Sequence, residues 1–118
     1  MINKGDLASG DIVWTNFDPS MGHEYKKKRP ALVVQSDTKL SLSSLATVIP
    51  LSSVVTKANA DDILITKDTS NNLYRDSLLK VYCISSFDYS RFEKKIGSVS
   101  SEQIENVKTY LKLHFNLT

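Results

Sequence analysis

The sequence predicts a mainly β protein, a small antiparallel β-barrel with one α-helix at its C-terminal end. Three observations lead there. Short apolar runs at 11–17, 31–36, 45–51, 63–66 and 77–84 are each four to eight residues long and bounded by turn-forming residues. The stretch with a clear helical period comes last, where Ile104, Val107, Leu111 and Phe115 recur at spacings of three and four. Strands gathered first and a helix afterwards favour antiparallel pairing with the helix laid on the sheet, over alternating βαβ units.

Each element has its own signals. The first strand, with Ile12, Trp14 and Phe17 as its apolar members, stops at Asp18-Pro19-Ser20, where proline is pre-set for the second turn position. A polar loop follows, carrying Gly22, His23, Glu24, Tyr25 and the run Lys26-Lys27-Lys28-Arg29. Pro30 holds Arg29 extended and starts the second strand, whose Ala31-Leu32-Val33-Val34 is nearly all apolar. Ser36-Asp37 is a helix cap or a turn before 38–44. Pro50 predicts an edge or a bulge near the end of the third strand. Residues 52–60 and 68–72 are polar surface loops. In the fifth strand, alternation sets Lys80 and Tyr82 side by side on one face. A charged connection over 88–95 leads to Ile96-Gly97, and Ser100 with Gln103 makes a capping-box start for a helix over 101–115.

Composition narrows the function classes. With 118 residues, 41% hydrophobic and 24% charged, the chain suits one globular domain over 1–118 and not a disordered segment. No apolar run approaches the roughly 20 residues of a membrane span, and the polar N-terminus has no signal-peptide core. The single cysteine, Cys83, excludes an intramolecular disulfide, and no metal-ligand spacing is present. These features predict a cytoplasmic protein without a cofactor. A net charge of +2 is too slight to predict nucleic-acid binding by itself, so the local run at 26–29 matters more. Such a run is a solvated loop or a phosphate-binding patch.

The chemistry centres on that loop. Arg29 is a permanently charged planar fork suited to a phosphate or a developing phosphorane, or else a surface arginine lying over Trp14 or Tyr25. His23 titrates near neutrality and Glu24 is its neighbour, so either can handle a proton. Trp14, Phe17, Tyr25, Tyr74 and Tyr82 are available to stack on bases, although aromatics of a small barrel are mostly core. RNA carries its own nucleophile in the 2′-hydroxyl, so a base, an acid and an arginine suffice to cut it.

The stretch Gly10–Val34 resembles the opening of the MazF/PemK toxins, through Gly10, Asp11, Asp18, Pro19, Gly22, Glu24, Arg29 and Pro30 at the family's spacings. The likeness continues through Thr47-Val-Ile-Pro-Leu-Ser-Ser, Arg75-Asp76-Ser77 and the C-terminal helix. The resemblance implies an SH3-like barrel that forms homodimers. It implies a toxin of a type II toxin–antitoxin system, a metal-independent, sequence-specific endoribonuclease (an mRNA interferase). Single-stranded RNA would be cut to 2′,3′-cyclic phosphate and 5′-hydroxyl ends, and a cognate antitoxin would lay a flexible C-terminal segment over the RNA groove. By position Arg29 matches the main catalytic arginine, with His23 and Glu24 as loop partners. A threonine or serine at the start of the third strand falls at Leu45, which makes the preceding Ser44 the catalytic hydroxyl. Lys26, Lys27, Lys28, Ser43, Thr47, Ser52, Ser53, Lys80 and Tyr82 are the expected RNA contacts. Lys80 and Tyr82 replace the arginine and acid that some members carry on strand five. That departure supports an alternative, in which an impaired member or a barrel toxin acts by binding RNA, antitoxin or a protein such as gyrase. A generic peptide-binding SH3-like domain is a third reading.

Overall fold

Strand β1 (Asp11–Asn16) pairs antiparallel with β2 (Lys28–Val33), in register Ile12↔Leu32, Val13↔Ala31, Trp14↔Pro30 and Thr15↔Arg29. These pairs come from a computed structural model that describes residues 2–17 and 28–117. Successive side chains point to opposite faces, so one register feeds two cores. Val13, Phe17, Ala31 and Val33 enter one cluster with Val48, Phe87 and Phe92. Ile12, Leu32, Ile49 and Leu51 enter a second with Ile104 and Val107. Each fully buried apolar side chain of this size stabilises the fold by roughly 1.5–3 kcal/mol.

A short helix, α1 (Asp37–Leu42), follows β2, with the Ser36 side chain accepting from the Lys39 N–H at its start. The eight-residue β3 (Leu45–Ser52) comes next and is the spine of the sheet. One edge pairs with β2 through Ala31↔Pro50 and Val33↔Val48. The other edge changes partner along its length. Leu51 and Ser52 pair with β5 (Ser77–Leu79), which continues to β4 (Ile63–Ile65). Leu45 to Val48 pair with β6 (Ser85–Asp88). The path β4-β5-β3-β2-β1 ends on β7 (Phe92–Ser98), with β6 off this path on β3. The result is the expected antiparallel fold with a C-terminal helix, its sheet curved and not strongly closed. No helix of the described residues is long and apolar enough to cross a membrane.

Three expectations change in detail. Pro50 lies inside a central strand, not at an edge or bulge. It falls where β3 passes from β6 to β5, so its missing N–H costs no ladder bond, and its carbonyl accepts from the Lys80 N–H at 3.0 Å. The run 77–84 is not one strand. It breaks after Leu79 into a 3₁₀ turn over Val81–Cys83 and resumes as β6, which lets it serve both halves of β3. The charged connection at 88–95 is a 3₁₀ turn over Tyr89–Arg91 followed by the start of β7, whose exposed Glu93, Lys94 and Lys95 hide its strand character.

The terminal helix, α2 (Ser101–His114), is as the spacing predicts, with the Ser100 hydroxyl accepting from the Gln103 N–H at 3.1 Å. Ile104 and Val107 are buried and Leu111 packs beside them, while Phe115 stays half-exposed. Gly10 takes φ of +95°, a conformation that side chains other than glycine rarely adopt. Its N–H donates to the Val33 carbonyl and its carbonyl accepts from the Val99 N–H, which ties the start of β1 to β2 and to the entry of α2.

Candidate functional site

Arg29 is a strand residue. β2 begins at Lys28, three residues earlier than the apolar run suggests, so Arg29 is held by ladder pairing opposite Thr15. Continuing the β2–β3 register two residues beyond Ala31↔Pro50 sets Arg29 opposite Ser52. The predicted arginine accordingly shares a cleft with Leu51 and Ser53 at the C-terminal end of β3. Ser52 is buried, and its hydroxyl accepts from the Val54 N–H at 3.2 Å.

A cleft of about 300 Å³ opens here, lined by Trp14, Lys28, Arg29, Pro30, Ser53, Tyr74 and Arg75 among others. Lys28 is partly engaged by Glu93 of β7 at 2.7 Å, in an exposed pair. Such a pair stabilises little, about 0–1 kcal/mol, and leaves Lys28 available to a phosphate. The Arg75 guanidinium lies 5.7 Å from the centre of the Tyr74 ring. A second cleft, of about 340 Å³, shares Trp14, Pro30, Leu73 and Tyr74 and extends to Lys94 and Ile96. The two form one groove with an apolar floor and cations on its rim. That combination suits a polyanion with flat, unpaired bases.

The other predicted residues fall into separate places. His23, Glu24, Lys26 and Lys27 lie outside the described residues, as do Asp18, Pro19, Gly22 and Tyr25. Ser43 and Ser44 precede β3 at its other end. The eight residues of extended chain from Ser44 to Ser52 span about 26 Å at about 3.3 Å each. The gapless placement of a catalytic hydroxyl at Ser44 therefore does not bring it to Arg29. Ser43 serves locally, closing α1 while its hydroxyl accepts from the Leu45 N–H. Thr47 is also distant from Arg29. It shares a hydroxyl–hydroxyl hydrogen bond of 2.7 Å with Ser86 and lines a different cleft, beneath Lys108, Leu111 and Phe115 of the C-terminal helix.

Lys80 and Tyr82 do not share a strand face. The 3₁₀ turn separates them, and each is committed to one of two adjacent aspartates. Lys80 is paired with Asp62 at 2.5 Å, its side chain 13% exposed and that of Asp62 only 2%. Tyr82 packs edge-on against His114, and its hydroxyl, with that of Tyr110, hydrogen-bonds Asp61. The pair thus joins the 58–62 loop to β5 and α2. The Tyr110 hydrogen bond, followed by that of Tyr82, holds the Asp61 carboxyl below the ordinary carboxylate range. The same contact pushes the Tyr110 hydroxyl up to about 12. A depressed aspartate stabilises the fold above its ordinary range and stops doing so as pH falls through the folded value. A raised tyrosine stabilises below 10.0 and stops as pH rises through about 12. Alkaline titration followed by tyrosinate absorbance should show a tyrosine ionising near 12 that returns toward 10.0 in Asp61→Asn.

Of the groove residues, Trp14 and Tyr74 are among the aromatics available to stack on bases, whereas Arg75 and Lys94 are not among the expected RNA contacts. Arg75 had a signal, since Arg75-Asp76-Ser77 stands immediately before β5. Lys94 had none, because β7 reads as a connection.

Residues 8–115 match the family described as PemK-like, MazF-like toxins of type II toxin–antitoxin systems. Among curated proteins, the chain is 29% identical over 116 residues to endoribonuclease MazF9 of Mycobacterium tuberculosis, covering 94% of this chain and 98% of that protein. It is 22% identical to endoribonuclease MazF of Staphylococcus saprophyticus, covering 94% and 92%. Among solved structures, MazF of Deinococcus radiodurans superposes with a TM-score of 0.76 at 22% identity, covering 94% and 97%. A MazE–MazF complex from the same organism gives 0.70 at 20% identity, covering 95% and 97%.

Proposed function

Because the chain belongs to the PemK-like, MazF-like toxins of type II toxin–antitoxin systems, we propose that it is an endoribonuclease that cuts single-stranded RNA in the groove beside Arg29. The observation that carries this reading is the position of Arg29. Its backbone is fixed in β2, at one end of a groove rimmed by Lys28 and Arg75 and floored by Trp14 and Pro30.

The mechanism needs little from the protein beyond charge and proton transfer. The 2′-oxygen of the nucleotide before the scissile bond attacks the adjacent phosphorus as its proton leaves. Negative charge builds on the phosphorane oxygens, where the Arg29 fork stabilises it. The bond to the 5′-oxygen then breaks, and that oxygen takes up a proton. The products are a 2′,3′-cyclic phosphate and a 5′-hydroxyl. His23 and Glu24 are the proposed proton carriers, and Lys26, Lys27 and Lys28 attract the RNA backbone. Ser52 and Ser53 take the phosphate-contact role in place of Ser43 and Ser44. Substituting Ser52→Ala should slow cleavage about tenfold or more, the scale of one lost hydrogen bond to a charged group, whereas Ser44→Ala should leave the rate unchanged.

Incubating the protein with a long single-stranded RNA in EDTA, then mapping the new ends, tests the whole reading. Discrete cuts with cyclic-phosphate termini are expected, and intact RNA would sink it. A cytoplasmic homodimer restrained by a cognate antitoxin completes the proposal. The exposed Leu113, Phe115 and Leu117 at the end of the chain support an apolar contact between copies. One observation favours the second reading, a toxin that binds without cutting. Lys80 is paired with Asp62 and so does not supply the cation expected from strand five. RNA that is bound but uncut would select it.

A further inference from the structure

Tyr74 is 87% exposed. The ring therefore contributes almost no burial to the fold, yet the backbone beneath it is tightly held. Leu73, one residue earlier, is buried in the second core cluster. Asn71 is fully buried, and its side chain ties together the Asp68 N–H, the Leu73 N–H and the Thr66 carbonyl. Asn72 has φ of +53°, and its amide donates to the Ile96 carbonyl of β7 at 3.1 Å. Gly97 approaches so closely that a Cβ there would stand 2.5 Å from the Ser70 carbonyl oxygen. A large aromatic presented to solvent on a fixed turn is preorganised for a flat ligand.

The surroundings define which ligand. Arg75 sits over the Tyr74 ring, and Trp14 and Pro30 wall both clefts that meet at Tyr74. Lys94 stands at the far side from Arg29. We infer that Tyr74 and Trp14 form a nucleobase subsite, which holds one unpaired base of the RNA substrate while Arg29 engages the reacting phosphate. The inference rests on the RNA-cleaving reading and adds to it a residue that selects and positions the substrate. Stacking on an aromatic ring accepts any base face, and the flanking cations accept the phosphates on either side. Charge complementarity thus favours a polynucleotide over an apolar peptide.

Trp14 is the sole tryptophan of the chain, so its fluorescence reports occupancy of the groove. The experiment uses the RNA whose cleavage site has been mapped, methylated at the scissile 2′-oxygen so that it binds without being cut. Binding is followed by Trp14 fluorescence and, independently, by anisotropy of a labelled RNA. The two should saturate together. Tyr74→Ala should weaken binding about tenfold, within the range measured for one base–aromatic stack, while Tyr74→Phe binds as wild type. Both variants should melt as wild type, since the ring is exposed. Removing one base to leave an abasic nucleotide should weaken wild type by the same factor and leave Tyr74→Ala unaffected. Anisotropy that reports binding while Trp14 fluorescence and Tyr74→Ala stay silent overturns the subsite and leaves RNA cleavage standing. A Trp14 response to an acidic, leucine-rich peptide in place of RNA overturns it in favour of protein docking. Absence of RNA binding by anisotropy removes the subsite and the RNA-cleaving reading together.

Discussion

Replacing Arg29 with alanine is expected to lower the rate of RNA cleavage by about 10²- to 10³-fold, with little change in melting temperature. The rate effect follows from where charge appears. The ground-state phosphate already carries one negative charge, and a second develops as the 2′-oxygen adds. A guanidinium fixed at that point favours the transition state over the substrate. Its planar fork matches two phosphorane oxygens at once, so Arg29→Lys should restore only part of the rate. Stability should hold because alanine keeps the backbone pairing of this position with Thr15. Single-turnover cleavage of an end-labelled RNA, alongside thermal melts, checks both halves. A wild-type rate in Arg29→Ala would remove the arginine from the mechanism.

The largest effect on stability is expected at Asn71. The residue lies at no ligand-facing surface, yet its side chain accepts from the Asp68 and Leu73 N–H groups and donates to the Thr66 carbonyl, at 2.9–3.0 Å. Alanine strips all of these partners at once in a buried place. Leaving such groups unsatisfied costs about 1–3 kcal/mol apiece when water cannot replace the bond, so about 3 kcal/mol in total is a reasonable scale. For a chain of this size that lowers Tm by about 10 °C or more. Thermal denaturation of Asn71→Ala measures it, and a Tm within a degree or two of wild type would show that the turn is held by other contacts.

The sequence carried most of the fold and part of the groove. The apolar Ile12, Trp14 and Phe17, the nearly all-apolar run Ala31–Val34 and the three-and-four spacing of Ile104, Val107 and Leu111 are local patterns, so these strands and the helix were legible. Illegible elements depended on distant partners. β7 exposes Glu93, Lys94 and Lys95 and is a strand because β1 pairs with it. The break at Lys80 exists because β3 needs two partners, which no window of eight residues encodes. For the groove, Arg29-Pro30 was readable because proline fixes its neighbour. A gapless count sets the hydroxyl at Ser44 because it cannot say which end of a strand faces a given residue. Interstrand register can. Tyr74 looked like any barrel aromatic, and only the buried Leu73 beside it shows that its own ring must turn outward.

The arrangement around β3 also governs how this chain behaves toward copies of itself in a crowded solution. Its longest described strand is flanked by β2 over Val48–Pro50 on one side, and by β6 and then β5 on the other. Strands left at the margin are poor templates for another chain. β4 has three residues, and β7 places Glu93, Lys94 and Lys95 along its length. Short or charged margins resist the edge-to-edge strand addition by which β proteins aggregate. By dividing one flank of β3 between two short strands, the fold keeps its stickiest segment sequestered, and the protein can remain dispersed at concentrations where an open sheet edge would recruit neighbours.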